Sequence, residues 1–162
     1  MLLGNLLKSV SKKNKKISID GISFDSKKVK KKDIFFAIEG QRESGTKFIK
    51  EALLNGASVI VSNKKIKYLN KNVPLIVVKD VRKSLSEACS NFFKEKPQNI
   101  IAVTGTNGKS SVADFFYQIL NFNKKPVASI GTLGIFSKNY KKKTKLTSLD
   151  PLTLHRNLQI LA

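Results

Sequence analysis

The stretch V-T-G-T-N-G-K-S-S, residues 103–111, decides how the rest of the chain is read. The common phosphate-binding loop is G-x-x-x-x-G-K-[ST]; Gly108, Lys109 and Ser110 fit its end, but Val103 stands where its first glycine belongs. Context favours the loop. Residues 99–103 (N-I-I-A-V) read as a buried strand, and Val112, Phe115, Phe116, Ile119 and Leu120 form one apolar helical stripe after it. A strand–loop–helix of that kind gathers the loop's peptide N–H groups and the positive end of the helix at one point. Gly105 and Gly108 let the backbone curl, Lys109 suits the β- and γ-phosphates, and the Ser110 hydroxyl suits Mg²⁺. The plain alternative is an ordinary strand–helix turn, but such turns seldom hold G-x-x-G-K-S at a helix start.

Working outward, strand and helix signals alternate. Residues 17–23, 33–38, 58–62 and 75–78 read as strands. Phe48, Ile49, Ala52 and Leu53 mark a helix closed by Gly56, and Val81, Leu85, Ala88, Cys89, Phe92 and Phe93 mark another. Residues 94–99, K-E-K-P-Q-N, are polar, contain a proline and lack periodicity, so a domain boundary is placed there. After it, residues 126–131 read as a strand that would run parallel to 99–103 in a right-handed βαβ unit. Residues 133–146 read as a hairpin, and Asp150 and Pro151 open a last helix. The N-terminal M-L-L-G-N-L-L-K-S-V reads as a short amphipathic helix and not a signal peptide.

At 162 residues with 41% hydrophobic content, the chain has room for a core and the composition of a globular protein. No apolar run reaches the roughly 20 residues that span a bilayer. The lone Cys89 rules out an internal disulfide and suits a reducing, cytoplasmic setting. The net charge of +20 invites a nucleic-acid reading. Against it, only Arg42, Arg82 and Arg156 are arginines, and the scattered lysines lack the arginine forks and aromatic platforms of base readout. Compositional drift explains them, and no specific nucleic acid and no membrane insertion are expected.

The displaced glycine has a counterpart. T-G-T-N-G-K-S-S resembles the phosphate loop of the Mur ligases and their folylpolyglutamate synthetase relatives, written G-T-N-G-K-[ST]-[ST]. Upstream, D-S-K-K-V-K-K-K-D-I-F-F-A-I-E-G (25–40), S-G-T-K-F-I (44–49) and A-L-L-N-G-A (52–57) resemble the family's D-S-R-x-V-x-x-G-D-L-F-x-A-x-x-G, D-G-x-x-F-I and A-x-x-x-G-A. Downstream, I-G-T-L-G (130–134) and L-T-S-L-D-P-L-T-L-H (146–155) resemble the branch that adds the third residue of the peptidoglycan stem peptide. Lys27 replaces the family's arginine, Lys32 a glycine, Ser44 an aspartate, Ser148 a threonine and Leu149 a proline.

The resemblance implies an α/β chain: a small N-terminal UDP-sugar-binding domain over 1–96, then over 97–162 the start of a doubly wound, phosphate-loop central ATPase domain. It implies ATP and Mg²⁺, with Gly105, Thr106, Asn107, Gly108, Lys109, Ser110 and Ser111 holding the nucleotide and Lys109 acting in catalysis. The UDP substrate would meet Ser26, Gln41 and Arg42 at its uridine end and Thr147 and Ser148 at its muramoyl-peptide end. The substrates implied are a UDP-N-acetylmuramoyl dipeptide and a diamino acid, diaminopimelate or lysine, and the enzyme would be a monomer. The family's acidic Mg²⁺ ligand, carbamoylated lysine, further histidine and third domain find no match in these residues, so a fragment that does not turn over alone is expected. Plainer roles stand beside these: Ser26 as a turn residue, Asp25 as a cap of its own backbone, Arg42 as a solvated charge, Thr147 and Ser148 as turn residues, His155 as a surface helix residue. Rival functions are another ligase of the superfamily, a generic phosphate-loop kinase and a basic nucleic-acid-binding module.

Overall fold

The computed structural model describes residues 1–40, 43–66, 72–144 and 148–162. Two compact units divide the chain, Met1–Lys94 and Glu95–Ala162.

The first unit is built on four strands, β1 (Gly21–Ser23), β2 (Asp33–Phe36), β3 (Val59–Ser62) and β4 (Leu75–Val77). They lie side by side in sequence order and every neighbouring pair is parallel, with Ile22 opposite Ile34, Phe35 opposite Ile60 and Val61 opposite Ile76. D-I-F-F and V-I-V-S are buried along their whole length, as strands covered on both faces must be. On one face Phe35 and Ile60 pack with Ala37, Val29 and Ala57 and with Ile49 and Ala52 of the helix α2 (Ile49–Leu54). The alternate set, Ile34, Phe36, Val59 and Val61, turns to the opposite face and is equally buried. A four-residue α1 (Leu3–Leu6) and the longer α3 (Val81–Phe92) pack against each other, where Asn91 Nδ2 donates to the Leu6 carbonyl at 3.0 Å. The i, i+4, i+7, i+8 spacing of Val81, Leu85, Ala88 and Cys89 gives α3 its buried stripe. Asp80 caps it by accepting from Lys83 N at 3.0 Å.

The expected strand over 17–23 is shorter than its alternation suggests. Ser18 makes only an isolated antiparallel bridge to Leu2, and regular pairing starts at Gly21. Lys32, which stands where the family has glycine, has a left-handed backbone with φ of 66°, its N–H on the Gly56 carbonyl at 3.0 Å.

In the second unit α4 (Lys109–Phe122) follows the glycine loop as expected. The hairpin expected over 133–146 is present as β6 (Gly134–Ser137) paired antiparallel with β7 (Lys141–Lys142), its residues 145 and 146 lying outside the described residues; β5 (Ala128–Gly131) pairs antiparallel with the other side of β6. α5 (Pro151–Ile160) is capped by Asp150, which accepts from Thr153 N at 2.8 Å. Two expectations fail. Residues 99–103 are not a buried strand: they join no ladder, and Ile100 and Ile101 are 57% and 67% exposed. Nor does β5 run parallel to them. Its chain turns at once through Thr132 and Leu133 into β6, and this short antiparallel closure needs no crossover. The α4 stripe is a helical stripe but not a core: Val112, Phe115, Phe116 and Ile119 are exposed and Leu120 is half-buried.

A left-handed lysine costs about 1 kcal/mol or more that a glycine avoids, partly offset by the glycine's greater freedom when unfolded. Lys32→Gly should therefore stabilise the chain by about 0.5–1 kcal/mol in urea unfolding; a loss of stability would show that the lysine side chain supports the turn.

Candidate functional site

The glycine loop is set by backbone geometry. Gly105 and Gly108 have φ of 150° and 77°, and Gly108 is the residue from which α4 starts. No side chain caps that helix. The first backbone bond into the helix runs from Val112 N to Gly108 O at 2.9 Å, so the N–H groups of Lys109, Ser110 and Ser111 lie ahead of the helical ladder. They point from a 14-residue helix whose dipole favours an anion there. The Lys109 ammonium curls back over the loop and donates to the carbonyls of Gly105 and of Thr106, the latter at 3.2 Å. A Cβ on Gly108 would meet nothing within 4 Å, so the glycine answers to its φ and leaves the approach to the loop open. Amide donors, a cation and the Ser110 hydroxyl in seven consecutive residues are the donor set a nucleoside triphosphate needs, and the residues present fit that group. For Mg²⁺, no cluster of three or more His, Cys, Asp or Glu side chains stands ready among the described residues. Ser110 is the hydroxyl at hand.

The first unit brings loop ends together at the carboxyl edge of its parallel sheet, the edge at which open α/β sheets take ligands. β1 leads into the Asp25–Ser26 turn. Asp25 accepts from Lys27 N at 3.1 Å and pairs with Lys28 Nζ at 3.2 Å, so it caps its own backbone. Ser26 is 5% exposed and its hydroxyl donates to Glu51 of α2 in a short bond. β2 leads toward positions 41 and 42. Their flanks are tied by a bridge between Glu39 and Ser44 and by Gly40 N on Glu43 O at 2.9 Å. Gly45 lies so close to the exit of β2 that a Cβ would stand 2.6 Å from the carbonyl carbon of Ala37. Between the exit of β2 and the start of α3 is a cleft of about 740 Å³, lined by Ile38, Glu39, Asn63, Val78, Asp80 and Lys83 among others. Glu39 on its rim is held below the usual carboxylate range, chiefly by the hydrogen bond from Lys64 Nζ at 2.6 Å.

Residues 105–111 are thus contiguous on one loop. Ser26 lies in the other unit, and Ser148 is exposed two residues before the Asp150 cap. Gln41, Arg42 and Thr147 lie outside the described residues. Sequence reasoning missed Glu51 and Asn55, which grip the Ser26 turn from α2: Asn55 Nδ2 donates to Ser26 O at 2.8 Å. Their i, i+4 spacing puts both on one helix face, but nothing in sequence ties that face to a turn 25 residues away. His155, the only histidine, is half-buried in α5. Burial first, and Lys96 second, push its pKa down.

Fold and loop together define a class, a parallel-sheet α/β unit followed by a unit that opens with a glycine loop and a helix, and the comparisons with known proteins narrow it. A model described as "Mur ligase family, catalytic domain" matches residues 18–93, and one described as "Mur ligase middle domain" matches 103–162. The chain belongs to the Mur ligase family. Among curated relatives, the UDP-N-acetylmuramoyl-L-alanyl-D-glutamate--2,6-diaminopimelate ligase of Rickettsia conorii is 49% identical over 119 residues, covering 73% of this chain and 24% of that protein. The protein of that name from Agrobacterium fabrum is 40% identical over 146 residues, covering 90% of this chain and 29% of its own length. A solved structure of a ligase with the same name superposes with a TM-score of 0.75 at 29% identity, covering 94% of this chain and 31% of that one. The Thermotoga maritima MurF ligase in complex with ADP superposes at 0.56 and 28% identity, over 83% of this chain and 28% of that one. The chain therefore spans between a fifth and a third of the length of these relatives. Among the described residues no helix is long and apolar enough to cross a membrane.

A histidine with a depressed pKa stays neutral in the folded chain while the unfolded chain, at about 6.5, takes up its proton first. The stability it leaves intact is fully present above pH 6.5 and is lost as the pH falls toward the folded value. With one histidine, a single ring C–H resonance reports the titration, and its midpoint should lie below 6.5; a midpoint above that value would contradict the burial seen for α5.

Proposed function

We propose that this chain handles both nucleotides of an ATP-dependent amide ligase of peptidoglycan precursor synthesis, a cytoplasmic enzyme. By this reading the ligase adds a diamino acid, meso-diaminopimelate, to UDP-N-acetylmuramoyl-L-Ala-D-Glu. The observation that carries the proposal is the start of α4: uncapped N–H groups after a left-handed Gly108, with the Lys109 ammonium folded over the same loop. Support comes from the printed name of the relatives and from the solved relative that holds ADP.

In this account residues 105–111 wrap the triphosphate of ATP. Lys109 exchanges its two loop carbonyls for β- and γ-phosphate oxygens, so the cation costs little reorganisation when it engages. Ser110 would offer its hydroxyl to Mg²⁺, which would supply further charge neutralisation. The substrate carboxylate oxygen takes the γ-phosphoryl group and ADP leaves. The amine of the diamino acid then attacks the acyl carbon, the C–O bond to phosphate breaks, and the nitrogen gives up a proton as the amide forms. Positioning the carboxylate against the phosphoryl group is the other demand on the protein. Ser26, at the carboxyl edge of the first sheet, is assigned to the uridine end together with Gln41 and Arg42. Thr147 and Ser148 are assigned to the muramoyl peptide.

Lys109→Ala tests the loop directly. ATP affinity measured by calorimetry should fall about tenfold or more, the loss of about 1.4 kcal/mol or more of binding. Unchanged affinity in a folded variant would remove the loop from the account.

A further inference from the structure

Ser26 has one proton to donate and two lone pairs with which to accept. The structure spends the proton inside the protein: the hydroxyl donates to Glu51, whose carboxylate can only accept. Asn55, one helical turn on, holds the Ser26 carbonyl at 2.8 Å. Ser23 Oγ, donating to Asp25 O at 2.8 Å, ties the same turn from the strand side. At 5% exposure Ser26 has almost no water with which to trade its bond to Glu51, so the direction of the hydroxyl is fixed. What remains on the oxygen is acceptor capacity.

A fixed acceptor selects its partner. At the uridine end of the substrate, the diphosphate offers only acceptors and cannot satisfy it. Ribose and sugar hydroxyls rotate and gain nothing from a fixed polarity. The uracil imide is a rigid N–H donor at the ring position where cytosine N3 is an acceptor; cytosine's own donor, the C4 amino group, lies one position further along the edge, so an acceptor aimed at position 3 favours uracil. We propose that Glu51 is a positioning residue that orients Ser26 as an acceptor for the uracil imide N–H, so that the pair distinguishes uridine from cytidine nucleotides. The inference rests on the assignment of Ser26 to the uridine end of the substrate and adds to it a base-reading polarity and the residue that imposes it.

The test compares UDP and CDP binding to the full chain, the Glu51→Ala variant and the Glu51→Gln variant by calorimetry, with circular dichroism to confirm folding. The parent chain should prefer UDP by about threefold to tenfold, the size of one hydrogen bond. Glu51→Ala frees the hydroxyl to rotate and donate to cytosine N3, so the preference should fall to near one, chiefly through tighter CDP binding. Glu51→Gln keeps an acceptor and should keep the preference. A purely structural role for Glu51 would weaken both ligands alike and leave the ratio as it was; that outcome, or a parent chain that binds UDP and CDP equally, overturns the proposal. No UDP binding to the parent chain at all would instead overturn the uridine assignment of this unit, and the base-reading role with it.

Discussion

The first turn of α4 leaves peptide N–H groups with no side chain to receive them, and the function argued for the chain depends on that vacancy. Serine, threonine or aspartate at the cap would have satisfied it locally, as Asp80 does for α3 and Asp150 for α5. At α4 the cap is instead a glycine with φ of 77°, which bends the chain into the helix and offers no side-chain oxygen. The three long helices thus differ in one respect that matters. Two close their own N-termini, and the third leaves its amides and a lysine for an anion.

The first unit shows how a parallel sheet turns into a binding edge. Continuous apolar runs place β2 and β3 at its centre, and parallel pairing sends every strand's exit to the same edge. The turn of Ser26 therefore leaves the sheet at the same edge as the exit of β2, where Ile38, Glu39, Asn63 and the start of α3 line one cleft. Close fits hold the loops: Gly45 against the exit of β2, and Glu51 with Asn55 against the turn after β1. The left-handed Lys32 shows the cost of drift toward lysine at a position whose backbone favours glycine.

Much of this was legible in the sequence, because local signals carry their own physics. β2, β3, β4, α2, α3 and α5 follow from periodicity and caps, and the left-handed glycine start of α4 from glycine spacing before an amphipathic helix. Two kinds of information were not. Pairing partners are non-local: N-I-I-A-V has the composition of a buried strand, yet Ile100 and Ile101 face solvent, and β5 pairs with the neighbour a short turn supplies. An apolar stripe likewise says that a helix has a face to cover but not what covers it, as Phe115 and Phe116 show on α4. Side-chain polarity across long loops was equally hidden. Ser26 could be singled out by motif, but the bond to Glu51 that fixes its hydroxyl appears only in three dimensions.

The central claim is that the main-chain amides from Gly105 to Ser111 grip a triphosphate. Backbone amide NMR during titration with a non-hydrolysable ATP analogue and Mg²⁺ tests it most directly. The account predicts that the largest, saturable shifts fall on Thr106 through Ser111. Amides there that stay in place, in a folded chain at millimolar nucleotide, would contradict it.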